Sequence, residues 1–206
     1  MLPLLGIDKW EEESLSNLAT KILAISPKPL ILIDGKGGSG KSSLAKKLAD
    51  VLNANLVCTD DIAWWLHPIE WEDELLNGII KPWLNGGEVA YTPPGWIKKN
   101  REGFIEVDSE KPLIVEGSGV CRKTLREIAN YTIWMNADPD LARERGIQRN
   151  IANGEDGGTL ESVTEMWDWF DSIADPFLLE EEAWKHVDII VSGVHSDLRT
   201  HIPAFS

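Results

Sequence analysis

Cysteine is nearly missing from this sequence: Cys58 and Cys121 are the two in 206 residues, far apart and without Cys-x-x-Cys or histidine spacing. That excludes a disulfide scaffold and a zinc site, and it suits the reducing cytosol, so a cytoplasmic protein is expected. Positive charge is also short. Twenty Lys plus Arg face 34 Asp plus Glu, a net charge of −14. The cations are dispersed, so neither nucleic acid nor an anionic membrane surface is an expected partner. Long hydrophobic runs are absent too. The apolar stretch at 2–7 is broken by Pro3 and Gly6 and followed by Glu11, Glu12 and Glu13, which makes neither a signal peptide nor a membrane span. Without a repeat, low-complexity tract or composition break, residues 1–206 read as a single domain. Tyrosine and phenylalanine are scarce, two and four, yet there are ten tryptophans. Most should be core, because a large amphipathic ring buries well once its N–H finds a partner, and a few are left to wall a ligand pocket.

The most informative segment runs from an apolar strand, Leu30-Ile31-Leu32-Ile33-Asp34, into Gly35-Lys36-Gly37-Gly38-Ser39-Gly40-Lys41-Ser42, a complete G-x-x-x-x-G-K-[ST] phosphate loop. Its glycines let successive backbone N–H groups point into one cavity. Gly35, Gly37, Gly38, Ser39, Gly40, Lys41, Ser42 and Ser43 are therefore the expected nucleotide contacts. Lys41 supplies charge to the β/γ oxygens and Ser42 a hydroxyl for Mg²⁺. The context fits, since Leu44, Ala45, Leu48, Ala49 and Leu52 trace one face of a following helix. ATP with Mg²⁺ is the expected cofactor pair.

Leu15, Leu18, Ala19, Ile22 and Leu23 predict an amphipathic helix ahead of this strand, within an N-terminal segment 1–27. Further strands are predicted at 55–58, 113–116, 131–136 and 187–191, separated by helical patterns. One of these helices opens at Asp138-Pro139, an N-cap with proline behind it; another is long and carries Val163, Met166, Trp167, Phe170, Ala174, Phe177 and Leu178 on one face, with Pro176 as a point of bending or splitting. Such alternation gives a three-layer α/β/α fold around a five-stranded parallel sheet. Ligands in these sheets bind at the carboxyl ends of the strands. Asp34, Asp60 and Glu116 all fall there.

Glu116 ends the strand Leu113-Ile114-Val115 in the Walker B manner, where a carboxylate holds Mg²⁺ through water or positions an acceptor. Asp60 and Asp61 follow the second strand. Two adjacent carboxylates of an extended chain cannot both face one pocket. Asp60 is assigned to orient an acceptor hydroxyl and take its proton, and Asp61 to support it or touch substrate. Arg145 and Arg149 share a helix face just before a glycine-rich stretch, so 150–162 reads as a lid, with Arg149 clamping the transferring phosphoryl and Arg145 stacking on adenine. The segment 62–110 lies where an acceptor would bind and carries five tryptophans. Trp64, Tyr91 and Trp96, with Asp61, are its candidate substrate contacts.

In this order, Gly35 to Ser42, Asp60-Asp61, Val115-Glu116-Gly117 and Arg145-x-x-x-Arg149 resemble the uridine kinase-like branch of the P-loop kinases over roughly residues 28–192. The resemblance implies the sheet order 2-3-1-4-5, ATP with Mg²⁺, and γ-phosphoryl transfer to a hydroxyl of a nucleoside-like or sugar-like acceptor. On it, Asp60 matches the aspartate that activates the acceptor, Glu116 the Walker B glutamate, and Arg145 and Arg149 the lid arginines. The acceptor pocket departs from that family: Asp61-Ile62-Ala63 precedes Trp64-Trp65, and Tyr91-Thr92-Pro93-Pro94-Gly95-Trp96 replaces its Tyr-Asp-Phe stretch. Few cations in 62–110 disfavour a monophosphate acceptor, while its carboxylates would also admit an amine-bearing alcohol. The rival readings are a nucleotide-dependent switch or binding module, and a kinase-like fold whose acceptor site has become a partner surface. A homodimer is left open.

Overall fold

The computed structural model describes residues 2–63, 67–195 and 197–203. Along the chain run β1 (Glu11–Glu12), α1 (Leu15–Ile25), β2 (Leu30–Gly35), α2 (Lys41–Leu52), β3 (Asn55–Cys58) and α3 (Thr59–Ala63). Then come α4 (Glu72–Leu75), a π turn at Leu76–Ile80, α5 (Lys81–Leu84), β4 (Val89–Tyr91), α6 (Pro94–Lys98) and β5 (Ile105–Val107). The remainder holds β6 (Leu113–Glu116), α7 (Lys123–Arg126), β7 (Tyr131–Asn136), α8 (Pro139–Asn153), α9 (Leu160–Glu181), β8 (Ile189–Ser192) and β9 (Arg199–His201).

The five expected strands lie parallel in the order β3-β6-β2-β7-β8, which is 2-3-1-4-5 in their own sequence order. The expected strand count is corrected: β9 adds antiparallel to β8, and β1 to β9, so the sheet has seven strands and a mixed edge. Two- and three-residue strands carry too little periodicity to be seen in a sequence. They cover what would otherwise be an open edge of β8.

Strand alternation splits the core in two. Ile31, Ile33, Ile114 and Ile133 pack against Leu18, Ile22, Leu44 and Leu48 of α1 and α2. Leu30, Leu32, Val115 and Trp134 face the other way, onto Trp71, Leu75, Ile79, Trp83 and Leu178. The 62–110 segment is thus mainly the second covering layer, with Trp71 and Trp83 fully buried. Their indole N–H groups donate to the Pro68 and Lys111 carbonyls, at 2.8 and 2.9 Å. A small antiparallel ribbon, β4-β5, closes it.

Arg122 fastens that layer to the sheet. Its guanidinium donates to the Gly119 and Ile69 carbonyls at 2.9 Å and to Glu72 at 3.2 Å, while lying over the rings of Trp71 and Phe177. Contacts from the loop after β6, from the covering layer and from α9 all meet on this one side chain. In α9, Pro176 sits inside an unbroken helix rather than splitting it. Among the described residues no helix is long and apolar enough to cross a membrane.

Candidate active site

The strand β2 delivers the loop, and a buried carboxylate fixes its exit. Asp34 accepts from the backbone N–H groups of Gly35, Gly119 and Cys121, at 2.6, 2.8 and 2.8 Å. Burial pushes its carboxyl up from the ordinary range, against those three donors and Lys41. Asp34 is therefore spent on joining the ends of β2 and β6 and does not reach the cavity. Beyond it, α2 begins at Lys41, and its N-terminus carries the unpaired amides that favour an anion.

A cavity of about 880 Å³ opens over this N-terminus. Gly37, Gly38, Gly40, Lys41, Ser42 and Ser43 line it, while Gly35 and Ser39, also expected there, do not. Lys41 is buried, its Nζ donating to the Gly35 and Lys36 carbonyls at 2.9 and 3.0 Å and to Ser118 Oγ at 3.3 Å.

Glu116 and Asp60 reach the same cavity from two other strands. Glu116 ends β6 in register with Cys58, the last residue of β3. An ideal Cβ on Gly117 would fall 1.7 Å from Thr59 Oγ1, so only glycine lets the first residue of α3 sit against the Walker B strand. That approach sets Asp60 beside Glu116. The helical turn of α3 then rotates Asp61 away, onto Arg101 at 3.4 Å, and only Asp60 lines the cavity. The Asp60 carboxyl opens to the cavity's solvent yet lies deep between protein walls. Desolvation by those walls and the Glu116 charge raise its pKa, while Lys41 and Arg149 pull it down, with a net upward shift. The Cys58 thiol is pushed up by burial and by the same carboxylates, which keeps it neutral.

Helices α8 and α9 form the roof. Arg145 and Arg149 both line the cavity, Arg145 also donating to the Gly193 carbonyl at 3.1 Å. Arg149 donates to Asn150 Oδ1 at 3.0 and 3.2 Å, and Asn150 Nδ2 donates in turn to Asp156 at 3.1 Å. The expected lid is shorter than 150–162, since α8 continues to Asn153 and α9 starts at Leu160. Arg143, on the outer side, pairs with Asp168 and Asp171 of α9, at 2.6 and 2.8 Å. Lys36 of the loop pairs with Asp171 and Asp175, at 3.2 and 2.9 Å.

The aromatic wall comes from α9. Met166, Trp167, Trp169 and Phe170 line the cavity, whereas among the described residues of 62–110 only Ala63 and Pro68 do. Two sequence-derived substrate contacts are displaced accordingly. Tyr91 packs its ring on Gly78 and bonds Glu74, and Trp96 is buried with its N–H on the Asp61 carbonyl at 2.7 Å and Arg101 stacked above it. Trp64, the third, lies outside the described residues. A helix face that lines a cavity has the same spacing as one that fills a core, so the α9 wall carried no separate signal.

Trp167 wedges between the phosphate loop and α8: ideal Cβ atoms on Gly37 and Gly146 would fall 2.9 and 2.1 Å from its ring. Gly146→Ala is expected to cost about 1–3 kcal/mol by overpacking and to lower the midpoint of thermal unfolding by about 2–12 °C. An unchanged melting curve would show that the ring is not held there.

The oxygen donors Ser42 and Glu116 beside the loop suit Mg²⁺, which binds through one or two carboxylates plus phosphates and water. No cage of three or more His, Cys, Asp or Glu side chains exists among the described residues, and a nucleotide-bound Mg²⁺ needs none.

A mostly parallel sheet whose central strand leads into a phosphate loop, with a strand-end glutamate and two arginines lining the same cavity, is the arrangement of a P-loop NTPase. Residues 12–157 match the model of the KAP family P-loop domain, and the chain belongs to that family. Among solved structures, it is similar to a provisionally named fructose transport system kinase from Silicibacter sp. TM1040, at 18% identity and TM-score 0.57, covering 85% of this chain and 95% of that one. A provisionally named uridine kinase from Bacillus stearothermophilus is similar at 17% identity and TM-score 0.52, over 85% and 96% of the two chains. Identities this low establish the shared fold. No curated protein matches the sequence.

Proposed function

We propose that this protein is a phosphotransferase that moves the γ-phosphoryl of ATP, bound with Mg²⁺, to a hydroxyl of a small acceptor. The observation that carries the reading is the Asp60 carboxylate, opening into the same cavity as Lys41, Glu116 and Arg149. A carboxylate beside Glu116 can orient a water as well as an alcohol, each of which must be held in line and lose its proton late. The alcohol is preferred because the same cavity also carries an apolar wall, Met166, Trp169 and Phe170, that a water has no use for. The kinase names of the two fold neighbours agree with this reading.

In this scheme the loop amides and Lys41 hold the β/γ-phosphates, and Ser42 and Glu116 would hold Mg²⁺, which would supply positive charge to the triphosphate. Arg149, steadied by Asn150, faces the transferring group, and Arg145 borders the nucleoside end. Asp60 accepts the acceptor proton. The lid helices exclude water that would otherwise take the phosphoryl.

The test is ADP release with Mg-ATP, with and without a panel of nucleosides, sugar alcohols and amino sugars. Asp60→Asn is expected to lower acceptor-dependent transfer by about 10²–10⁴-fold, with ATP affinity nearly intact. A base acts deprotonated, and the Asp60 pKa is raised. Activity should thus fall with decreasing pH through an apparent pKa above the usual carboxylate range, and Asp60→Asn should lose that limb. Transfer that survives Asp60→Asn undiminished removes Asp60 from the role. The second reading, a nucleotide switch, is favoured by membership of an NTPase family; it predicts slow turnover that no acceptor stimulates.

A further inference from the structure

The cavity is electrically lopsided. Every lysine and arginine that lines it, Lys41, Lys47, Arg145 and Arg149, belongs to α2 or α8. The α9 wall and the Ala63–Pro68 side contribute no cation among their described residues. There the lining is Met166, Trp167, Trp169 and Phe170 together with Ala63 and Pro68, and the cations that reach α9, Lys36 and Arg143, are paired with its own Asp168, Asp171 and Asp175. Trp169 and Met166 remain 49% and 41% exposed, so these large apolar groups are not satisfied by the core.

A triphosphate on the α2 N-terminus has its γ end at Lys41 and Asp60. Its nucleoside then extends past Ser43 toward Gly193, His195 and Leu198, which also line the cavity, Gly193 being joined to Arg145. That leaves the α9 wall to the second substrate. A bound anion there would face a helix whose charged residues beside the wall, Asp168, Asp171 and Asp175, are acidic and already hold Arg143 and Lys36. Aromatic faces with one orienting carboxylate suit a ring that is flat, apolar and neutral.

We infer that the phosphoryl acceptor is an uncharged hydroxyl compound with a flat apolar face, seated on Met166, Trp169 and Phe170 of α9 and not on Tyr91 or Trp96. The inference rests on the phosphotransferase reading for the word acceptor, but its binding test does not depend on turnover. Shape comes from α9, and the hydroxyl is oriented by Asp60. A phosphorylated acceptor is excluded by charge.

The experiment is isothermal titration of the whole protein, saturated with a non-hydrolysable Mg-ATP analogue. The probes are uridine, adenosine and phenyl β-glucoside, each with its phosphate ester and its amino-substituted counterpart. At least one neutral probe should bind saturably. Its phosphate ester should bind about tenfold or more weaker, and Phe170→Ala and Trp169→Ala should each weaken the neutral probe by about tenfold. Tyr91→Phe should leave it within twofold. Because Trp169 is half exposed, its alanine variant tests the wall without emptying a core, and melting curves verify both folds.

Equal or tighter binding of the phosphate ester or the amine overturns the inference. So does affinity insensitive to both α9 variants, or the failure of every neutral probe to bind. The two readings fail separately. Transfer onto a phosphate ester sinks the neutral-acceptor inference and keeps the kinase, whereas neutral binding sensitive to α9 without any transfer keeps the site and sinks the kinase.

Discussion

Lys41→Ala is expected to reduce nucleotide turnover by roughly 10²–10³-fold, the usual effect of deleting one preorganised donor aimed at developing charge. Its ammonium sits at the mouth of the loop, held by the Gly35 and Lys36 carbonyls and Ser118. These acceptors are weak enough to exchange for phosphate oxygens, so the charge is prepositioned with little reorganisation. The Gly35 carbonyl keeps the Ser118 hydroxyl as a donor at 3.0 Å, and the fold should survive with a similar melting temperature. ADP release under saturating Mg-ATP measures the effect. Turnover within about threefold of the parent would remove Lys41 from charge stabilisation, whatever the affinity for nucleotide.

The largest expected loss of stability follows from Arg122→Ala. This guanidinium is 6% exposed, donates to two carbonyls and to Glu72, and lies on two aromatic rings. Removing it leaves two carbonyls without a donor at a covered junction and takes from Glu72 one of its partners, Thr124 being the other, at a cost of about 3–5 kcal/mol from the unmet acceptors and the lost ring stacking. For a chain of this size that corresponds to a fall of about 6–20 °C in the unfolding midpoint. Lysine should recover little, because a single ammonium reproduces neither the planar fork nor the stacking. A shift under 3 °C for alanine would mean that the covering layer holds without this residue.

The parts of the site encoded by neighbouring residues were legible in the sequence. The phosphate loop, the apolar strand ending in Glu116 and the sharing of a face by Arg145 and Arg149 all rest on local spacing, and the cavity includes each of them. The choice between Asp60 and Asp61 needed the helical turn of α3, which begins where Thr59 meets Gly117. Asp34 had the right position for a functional carboxylate but is consumed by three backbone amides, and no pattern reveals which amides will converge on a side chain. The same limit hid the aromatic side of the cavity: tryptophan density pointed to 62–110, where Trp71 and Trp83 are structural, while among the described residues the rings that line the cavity come from a helix a hundred residues later. The mixed edge, β9 and β1, was too short to announce itself.

The ion pairs from Lys36 to Asp171 and Asp175, with Trp167 lodged against Gly37, bear on how fast the roof can move. A helix tethered to the floor of its own site is a poor flap. Between α8 and α9 stand only residues 154–159, where Gly154, Asp156, Gly157 and Gly158 all take left-handed backbone angles. Gating confined to such a short tether belongs to the nanosecond-to-microsecond regime of loops, not to the microsecond-to-millisecond swings of whole domains. Product escape from this protein should then be timed by the breaking of contacts with the ligand itself, and stiffening the tether should leave the catalytic cycle at nearly its original pace.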